Sequence, residues 1–214
     1  MNIQDIRFSR DTVQREFSRA LRKRVNAYFQ ANNISKYANG AMVTKTVVLL
    51  GVYALAYGAI VGGWVTNPWL AVLAWTFLGV VTAGIGFSVM HDANHGAYSR
   101  NKYVNGVLGY VINFIGGFSA NWKIQHNTLH HSFTNVHGMD EDIDAGKLLR
   151  FSPDQERLWF HKFQHIYAWF LYSLMTHMWI TTKDFRQLKR YHKNGLLEQH
   201  DLSYSKVFAE LVFI

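Results

Sequence analysis

Residues 46–90 read TVVLLGVYALAYGAIVGGWVTNPWLAVLAWTFLGVVTAGIGFSVM and contain no Asp, Glu, Lys, Arg or His. A helix needs about 20 apolar residues to cross the hydrocarbon core of a membrane, so this stretch is long enough for two crossings. The Asn67-Pro68 pair near its middle is typical of a turn between helices. We therefore expect a transmembrane hairpin with helices near residues 46–65 and 69–90, rather than two buried helices of a soluble core.

The rest of the composition favours an all-α protein. Hydrophobic residues make up 49% of the chain and charged residues 17%, and there are only two prolines. The apolar segments follow a helical rather than an alternating period, and we find no internal repeat. The predicted fold class is an all-α, polytopic membrane protein, in which a transmembrane hairpin is joined to cytoplasmic and interfacial helices.

Positive charge is concentrated ahead of the hairpin. Residues 1–45 hold nine Lys or Arg and three Asp or Glu, and the whole chain has a formal net charge of +8. This distribution predicts a cytoplasmic N-terminus. Val13, Phe17, Leu21 and Tyr28 recur at helical spacing among the basic residues, which is typical of a basic amphipathic helix on an anionic membrane surface. No groove-reading motif accompanies the charge, so we do not expect a nucleic-acid partner.

Two further apolar runs are poor candidates for crossings. Residues 103–122 are interrupted by glycines, and we expect a re-entrant or interfacial segment. Residues 166–182 are short and precede a basic loop, so a crossing there would put positive charge on the outer side. We expect an interfacial helix instead. A further span is expected to begin near Val207, which would make the chain a fragment of a longer protein.

The predicted organisation is a single domain with five parts. They are a basic amphipathic segment (1–45), the hairpin (46–90), a histidine-rich region (91–165), an interfacial helix with a basic loop (166–206) and the start of another span (207–214).

Five of the eleven histidines fall into two groups, which we call the first and the second box. The first box is HDANH, with His91 and His95, and the second is HNTLHH, with His126, His130 and His131. A spacing of four puts two imidazoles on one face of a helix, close enough to share a metal ion. The adjacent His130 and His131 would point about 100° apart on an α-helix, so they could serve two different ions. Cysteine is absent, and imidazole ligands suit iron, zinc, copper or nickel.

Residues beside the boxes are candidates for supporting roles. Asp92 and Asn94 lie between the ligands of the first box and could accept an imidazole N–H, and Asn127 is placed similarly in the second. The acidic run 140–144 could support the histidines, pair with the basic loop or face solvent. His165 is a weaker metal candidate. His192 and His200 read as loop residues without a ligand role.

The boxes carry a resemblance to a known family. The segments HDANHGAYS (91–99) and WKIQHNTLHHSFTN (122–135), followed by DEDID (140–144), resemble the first two histidine boxes of the membrane fatty acid desaturases. The segments QHIYAWFLY (164–172) and KDF (183–185) resemble the bacterial acyl-CoA or acyl-lipid desaturases of the front-end, linoleoyl-CoA desaturase-like branch.

This resemblance implies an O2-dependent desaturase that introduces a cis double bond into a long-chain acyl group. Its two iron ions would be held by the catalytic ligands His91, His95, His126, His130 and His131. A third box would lie beyond residue 214, so the chain alone is expected to be inactive. The chain has no haem motif, which implies a separate electron donor of the ferredoxin or cytochrome b5 type. The implied location is a bacterial inner membrane, with both boxes on the cytoplasmic side.

Two alternatives stay open at this point. A hydroxylase or ketolase of the same superfamily would use the same irons. A haem-binding membrane cytochrome would use histidines facing each other inside spans, whereas these histidines cluster at the predicted membrane edge.

Overall fold

A computed structural model of the chain describes residues 11–213, and every regular element within that range is helical. The predicted all-α class is confirmed for these residues. Residues 1–10 of the predicted basic segment and residue 214 of the predicted last span lie outside the described range. The described residues divide into two compact units, residues 11–109 and residues 110–213, and we treat each by itself.

The first unit begins with helix α1 (Thr12–Ala31), which Asp11 caps by accepting a hydrogen bond from the Val13 N–H. This helix buries none of its residues. Helix α2 (Gly40–Val61) and helix α3 (Pro68–Ile85) then form the hairpin. Asn67 caps α3 through its side-chain oxygen, which accepts from the N–H groups of Trp69 and Leu70.

The first helix of the hairpin lies nearer the N-terminus than predicted. It spans Gly40–Val61 rather than 46–65, because Asn39 caps it through the N–H of Met42 and because Gly63 adopts a left-handed φ of 73° that ends it. The helix therefore includes Lys45. An apolar run marks the membrane-compatible part of a helix, but it does not mark the caps.

Both hairpin helices are long and apolar enough to cross a membrane. The mean hydropathy is 1.6 for Gly40–Val61 and 2.0 for the continuous helical stretch Pro68–Asn94. Most of the surface of each stretch faces outward, as expected of helices that lipid surrounds. The exposed Trp64 and Trp69 flank the turn, where tryptophans of membrane proteins commonly meet the lipid headgroups. These features are those expected of a pair of membrane-spanning helices.

Helix α3 is followed without a break by helical turns that carry the first box. It continues as a π-helical turn, Gly86–Met90, and then as the short helix α4 (His91–Asn94). Helix α5 (Lys102–Tyr110) follows after a loop. That loop is tied to the beginning of α2, because the Tyr98 hydroxyl donates to Thr46 Oγ1 at 2.8 Å and the Ala38 N–H donates to the Tyr98 carbonyl at 3.0 Å. The first box thus lies at the end of the hairpin where α2 begins.

The second unit is built from shorter helices. A 3-10 segment, Val111–Ile115, ends at Gly116, which has a φ of 93° and lies so close to Thr176 Cγ2 that a Cβ would approach it to 2.8 Å. The remaining α-helices are α6 (Ser119–Trp122), α7 (Gln164–Ser173), α8 (Met175–Met178), α9 (Asp184–Lys193), α10 (Leu196–Gln199) and α11 (Tyr204–Phe213). Two π-helical segments, Lys123–His130 and Trp179–Lys183, and a 3-10 segment, Trp159–Phe163, complete the unit.

Neither of the doubtful apolar runs forms one long helix. Residues 103–122 are divided among α5, a 3-10 segment and α6, and residues 166–182 among α7, α8 and a π segment. Within residues 11–213, only Gly40–Val61 and Pro68–Asn94 are both long and apolar enough to cross a membrane, and neither run is among them. The re-entrant or interfacial position expected for residues 103–122 and the interfacial position expected for residues 166–182 stay predictions.

The hydrophobic core of the second unit includes residues from the segment that carries the second box. Phe118, Ile124 and Leu129 from the box region pack with Leu188 and Tyr191 of α9. Helix α6 is fixed to α9 by a hydrogen bond from the Asn121 amide to the Asp184 carbonyl at 2.7 Å. The segment that carries the histidines is thus fixed to α9 by apolar contacts and by a buried hydrogen bond.

Candidate metal centre

The first box forms a compact pair of imidazoles at the end of the hairpin. The rings of His91 and His95 have centroids 4.6 Å apart, as the spacing of four predicts for one helix face. Asp92 Oδ1 lies 3.3 Å from His91 Nδ1, so the carboxylate is in reach of the ring N–H. This is the contact proposed for Asp92 from the sequence.

Asn94 anchors the first box to the neighbouring helix. It is buried, and its amide donates to the Gly109 carbonyl of α5 at 3.1 Å. A Cβ at Gly109 would overlap the Asn94 side chain, so this close approach requires glycine. From its position between two histidines, Asn94 was expected to accept an imidazole N–H, whereas its amide donates to Gly109.

The second box lies on a π-helix rather than on the regular α-helix that its spacing predicts. Lys123–His130 is π-helical, and the His131 N–H donates to the His126 carbonyl five residues earlier. Rings five residues apart in sequence are thereby brought together: His126 Nε2 and His131 Nε2 are 3.3 Å apart. The His126 and His130 rings stack with centroids 5.2 Å apart. His126 and His130 thus share a face, as their spacing predicts, but they do so on a π-helix, and π-helical segments are frequent at functional sites.

A buried carboxylate, that of Asp140, contacts the Nδ1 atom of His130. Asp140 is 1% exposed, and its two oxygens lie 3.0 and 3.1 Å from His130 Nδ1. A carboxylate can only accept, so Nδ1 carries the proton and Nε2 keeps its lone pair. Burial raises the pKa of Asp140, but the Asn135 N–H, the His130 ring and the Asp142 N–H together outweigh burial, and the pKa lies below its usual value. Asp140 is therefore a fixed negative charge.

A second carboxylate completes a group of possible ligands. One atom each from His126, His130 and Asp142 lies within 4.8 Å of the others. Asp142 Oδ2 is 3.2 Å from His130 Nδ1 and 3.9 Å from His126 Nδ1. Nitrogen and oxygen donors of this kind can bind a transition-metal ion, and His130 would contribute Nε2, because its Nδ1 carries the proton that faces Asp140.

The site is linked to helix α9 through Gln125. Its amide donates to Asp142 Oδ1 at 2.7 Å, and its carbonyl accepts from Lys183 Nζ at 2.9 Å and from Gln187 Nε2 at 2.8 Å. Gln187 also donates to Glu141 Oε2 at 2.6 Å. The sequence reading missed Gln125, although its position directly before His126 could have signalled it.

Glu141 turns away from the histidines and holds the basic helix. It accepts from Arg190 Nη2 at 2.6 Å and from the Tyr191 hydroxyl at 3.0 Å. Burial, reinforced by Glu141, raises the pKa of Tyr191, and burial lowers the pKa of Lys183. The acidic run thus divides its roles: Asp140 and Asp142 face the box, and Glu141 pairs with the basic segment.

Trp122 covers one side of the second box. Its ring stacks on His126 with centroids 4.5 Å apart and an interplanar angle of 30°. This contact restricts the rotation of the His126 ring and shields it on that face.

The other predicted residues lie apart from this geometry or on its edge. Asn127 is partly buried on the same π segment. His165 is exposed on α7, and within residues 11–213 it belongs to no group of three possible ligands. His200 is closer to the site than its loop position predicts, because its Nε2 lies 2.9 Å from Thr128 Oγ1 in the second box.

Comparison with known proteins gives the family context of this site. The profile described as fatty acid desaturase matches residues 67–213. The sn-1 linoleoyl-lipid 6-desaturase of Arthrospira platensis is 39% identical over 163 residues, which cover 76% of this chain and 44% of that protein. The enzyme of the same name from Synechocystis sp. is 36% identical, over 78% of this chain and 46% of its own length.

A more distant relative extends the match to plants. The acyl-lipid (8-3)-desaturase of Physcomitrium patens is 31% identical over 82% of this chain and 37% of its own length. The chain therefore spans less than half the length of these three relatives. No solved structure matches it.

Proposed function

The chain belongs to the fatty acid desaturase family, and from this premise we propose that the protein is an O2-dependent desaturase of long-chain acyl groups. The product would carry a new cis double bond, and two iron ions would be held by the two boxes. The ligands that we assign are His91, His95, His126, His130 and His131. The relatives compared above bear the names of acyl-lipid desaturases, which favours desaturation over hydroxylation or ketone formation.

The pairing of His130 with Asp140 is the observation that carries the proposal. Histidines that bind metals almost always donate their other ring N–H to a carboxylate, a backbone carbonyl or water. Asp140 is buried, holds a lowered pKa and faces His130 Nδ1 at 3.0 Å. The side chain is thus already oriented for binding through Nε2, and the donor set fits an ion that imidazole binds.

The protein's own residues would supply orientation and electrostatics. Bound iron, together with O2, would provide the oxidising power needed to remove two hydrogens from an unactivated acyl chain. Asp140 fixes the tautomer of His130 and makes its ring a stronger donor. Trp122 restricts His126 by stacking. Gln125 holds Asp142 against both rings of the second box.

The orientation of the protein in the membrane is also part of the proposal. We infer that the hairpin spans a bacterial inner membrane, with the N-terminus and both boxes on the cytoplasmic side. Two observations support this orientation: the basic residues ahead of α2, and the bonds that tie Tyr98 to Thr46 and Ala38 at the same end of the hairpin. The substrate would be a long-chain acyl group carried by lipid or by CoA, and a ferredoxin or cytochrome b5 type protein would supply electrons.

The haem alternative is less favoured by the geometry. A haem held between two histidines needs their nitrogens on opposite faces of the porphyrin plane. The three rings of the second box instead crowd together, with ring centroids 4.7 to 5.5 Å apart. They share one region rather than enclosing a plane.

The proposal is tested on the full-length protein expressed in a host that supplies reduced ferredoxin. We expect new unsaturated acyl chains in the membrane lipids, iron in the purified protein and no Soret band. His130→Ala should remove both the iron and the product. A wild-type protein that binds haem, or that forms only hydroxylated or keto acids, would contradict the proposal.

A further inference from the structure

Helix α1 carries an exposed apolar stripe. Val13, Phe17, Leu21, Val25 and Tyr28 are all exposed, with Phe17 at 67% and Leu21 at 50%. With 3.6 residues per turn, these positions cover about 120° of one helix face. Isolated exposed apolar residues are common, but five of them on one helix face mark an interaction surface.

The opposite face of the same helix is basic. Arg15, Arg19, Arg22 and Lys23 lie across from the stripe at about 100° per residue, whereas Arg24 lies within it, and all five are exposed. Glu16 is the only acidic residue within Thr12–Ala31. Such long basic side chains can extend sideways from a helix lying flat and reach phosphate groups beside it.

A short loop also connects α1 to the predicted membrane-spanning helix α2. Asp11 caps its start, and Lys36, in the loop after it, lies over the Phe29 ring and hydrogen-bonds to Asn26. Helix α2, the first helix long and apolar enough to cross a membrane, begins at Gly40. The stripe is therefore tethered by a short loop to a helix that spans the bilayer.

We propose that α1 lies flat in the headgroup region of an anionic bilayer, with the Phe17 face in the lipid and the basic face toward phosphate. The charge pattern favours this occupant over a protein partner, because apolar insertion combined with flanking basic residues is the signature of interfacial helices. Anionic lipid attracts each basic residue near its surface, and salt screens that attraction. This inference concerns membrane docking and holds whatever reaction the protein catalyses.

The absence of cysteine makes the test direct. Two variants of the 214-residue chain, Phe17→Cys and Arg22→Cys, are each spin-labelled and reconstituted into vesicles with or without phosphatidylglycerol in phosphatidylcholine. Collision of the label with O2, which concentrates in lipid, and with a water-soluble nickel chelate is then measured. In the anionic vesicles we expect the label at position 17 to meet O2 several-fold more, and the chelate several-fold less, than the label at position 22.

Each other outcome overturns the proposal. A label at position 17 that is protected from both reagents would be covered by protein, from this chain or from a second copy. A label at position 17 that meets the chelate as freely as the one at position 22 would be in water. Equal protection in neutral and anionic vesicles would remove the role assigned to the basic face.

A charge variant with a matched control sharpens the test. Changing Arg15, Arg19 and Lys23 to Gln in the Phe17→Cys chain should raise its collision with the chelate in anionic vesicles. Changing Arg186, Lys189 and Lys193 to Gln removes the same charge from exposed positions on α9 and should leave the label unchanged. If both variants respond alike, net charge rather than α1 governs binding, and the proposal fails.

Discussion

His126 and His131 face each other through their Nε2 atoms at 3.3 Å, although five positions separate them in the sequence. Their approach follows from the π-helical backbone of Lys123–His130, in which hydrogen bonds join residues five apart. The same segment keeps His130 beside His126. One local feature of the backbone thus brings three imidazoles together.

Replacing any box histidine by Ala in the full-length protein should abolish desaturation. Loss of a neighbour that only supports a ligand typically costs about 10–100-fold in metal affinity or activity, and the loss of a ligand should cost more. Fatty acid profiles and iron content, both normalised to protein in the membrane fraction, measure the effect. His192→Ala is the control, because His192 pairs with Glu198 and stacks on Tyr204. His200→Ala is not a suitable control, because His200 contacts Thr128 of the second box. Box variants with normal iron and product would refute the ligand assignment.

Asp140→Asn should weaken metal binding while the protein stays folded. The amide is nearly isosteric, but it removes the charge that fixes the His130 ring, so we expect affinity to fall about 10–100-fold. Titration with Co2+, followed by its visible absorption, gives the affinity without any turnover. Asp144→Asn is the matched control, because Asp144 is exposed and accepts from the nearby Gly146 N–H rather than from a histidine. Equal affinities of the two variants would exclude the role of Asp140.

Gln125→Leu should lower both stability and metal affinity. Lys183 would lose its acceptor, at a cost of about 1–3 kcal/mol for a largely buried donor left unpaired, while Gln187 would keep its bond to Glu141 and Asp142 would lose the amide that donates to its Oδ1. Thermal unfolding in detergent and Co2+ titration measure the two effects separately. The exposed Gln199 provides the control, Gln199→Leu. Unchanged affinity in a destabilised Gln125→Leu variant would limit Gln125 to a structural role.

Gly109→Ala should destabilise the first unit and disturb the first box. The new methyl group would overlap the Asn94 side chain, and overpacking of this kind costs about 1–3 kcal/mol. Gly106→Ala on the same helix is a close control, because nothing lies within 4 Å of its would-be Cβ. Thermal unfolding should separate the variants, with Gly106→Ala neutral or slightly stabilising. A similar loss of stability in both would show that helix propensity, not the Asn94 contact, is responsible.

Reporter fusions should reveal the proposed topology. A reporter placed after Asn67 should be extracytoplasmic and one placed after Tyr98 cytoplasmic, because the hairpin returns the chain to the side of its basic N-terminal segment. Alkaline phosphatase, active outside the cytoplasm, and a green fluorescent protein, fluorescent inside, give opposite readouts. A Tyr98 fusion with high phosphatase activity would refute the hairpin.

The fold was predictable where composition alone carries the signal. The uncharged run 46–90 and the Asn67-Pro68 pair predict the hairpin, and Asn67 indeed caps α3. The start of α2 at Gly40 was not predicted, because the Asn39 cap lies outside the apolar run. A charge-free window marks what lipid tolerates, whereas a helix begins where its first N–H groups find an acceptor.

The two histidine clusters were predictable from the sequence, but most of the residues that contact them were not. Spacing singles out the histidines, whereas the burial of Asp140 depends on a loop that turns back at Asn135, which has a φ of 63°. The bond from Asn121 to Asp184 joins positions 63 residues apart. Contacts between residues so far apart produce no periodic pattern in the sequence, so they could not be predicted from it. The π-helical backbone of the second box produces no such pattern either.

The π-helical backbone sets a rule for anyone transplanting this motif into a designed scaffold. On a regular α-helix, side chains five positions apart point about 140° away from each other, so HNTLHH copied onto such a helix would send His131 away from His126. A scaffold must therefore provide the wider turn before it receives the histidines. Conversely, we expect that deleting one residue ahead of His126 within Lys123–His130 would restore α-helical geometry and separate the rings, even though every histidine of the motif would remain.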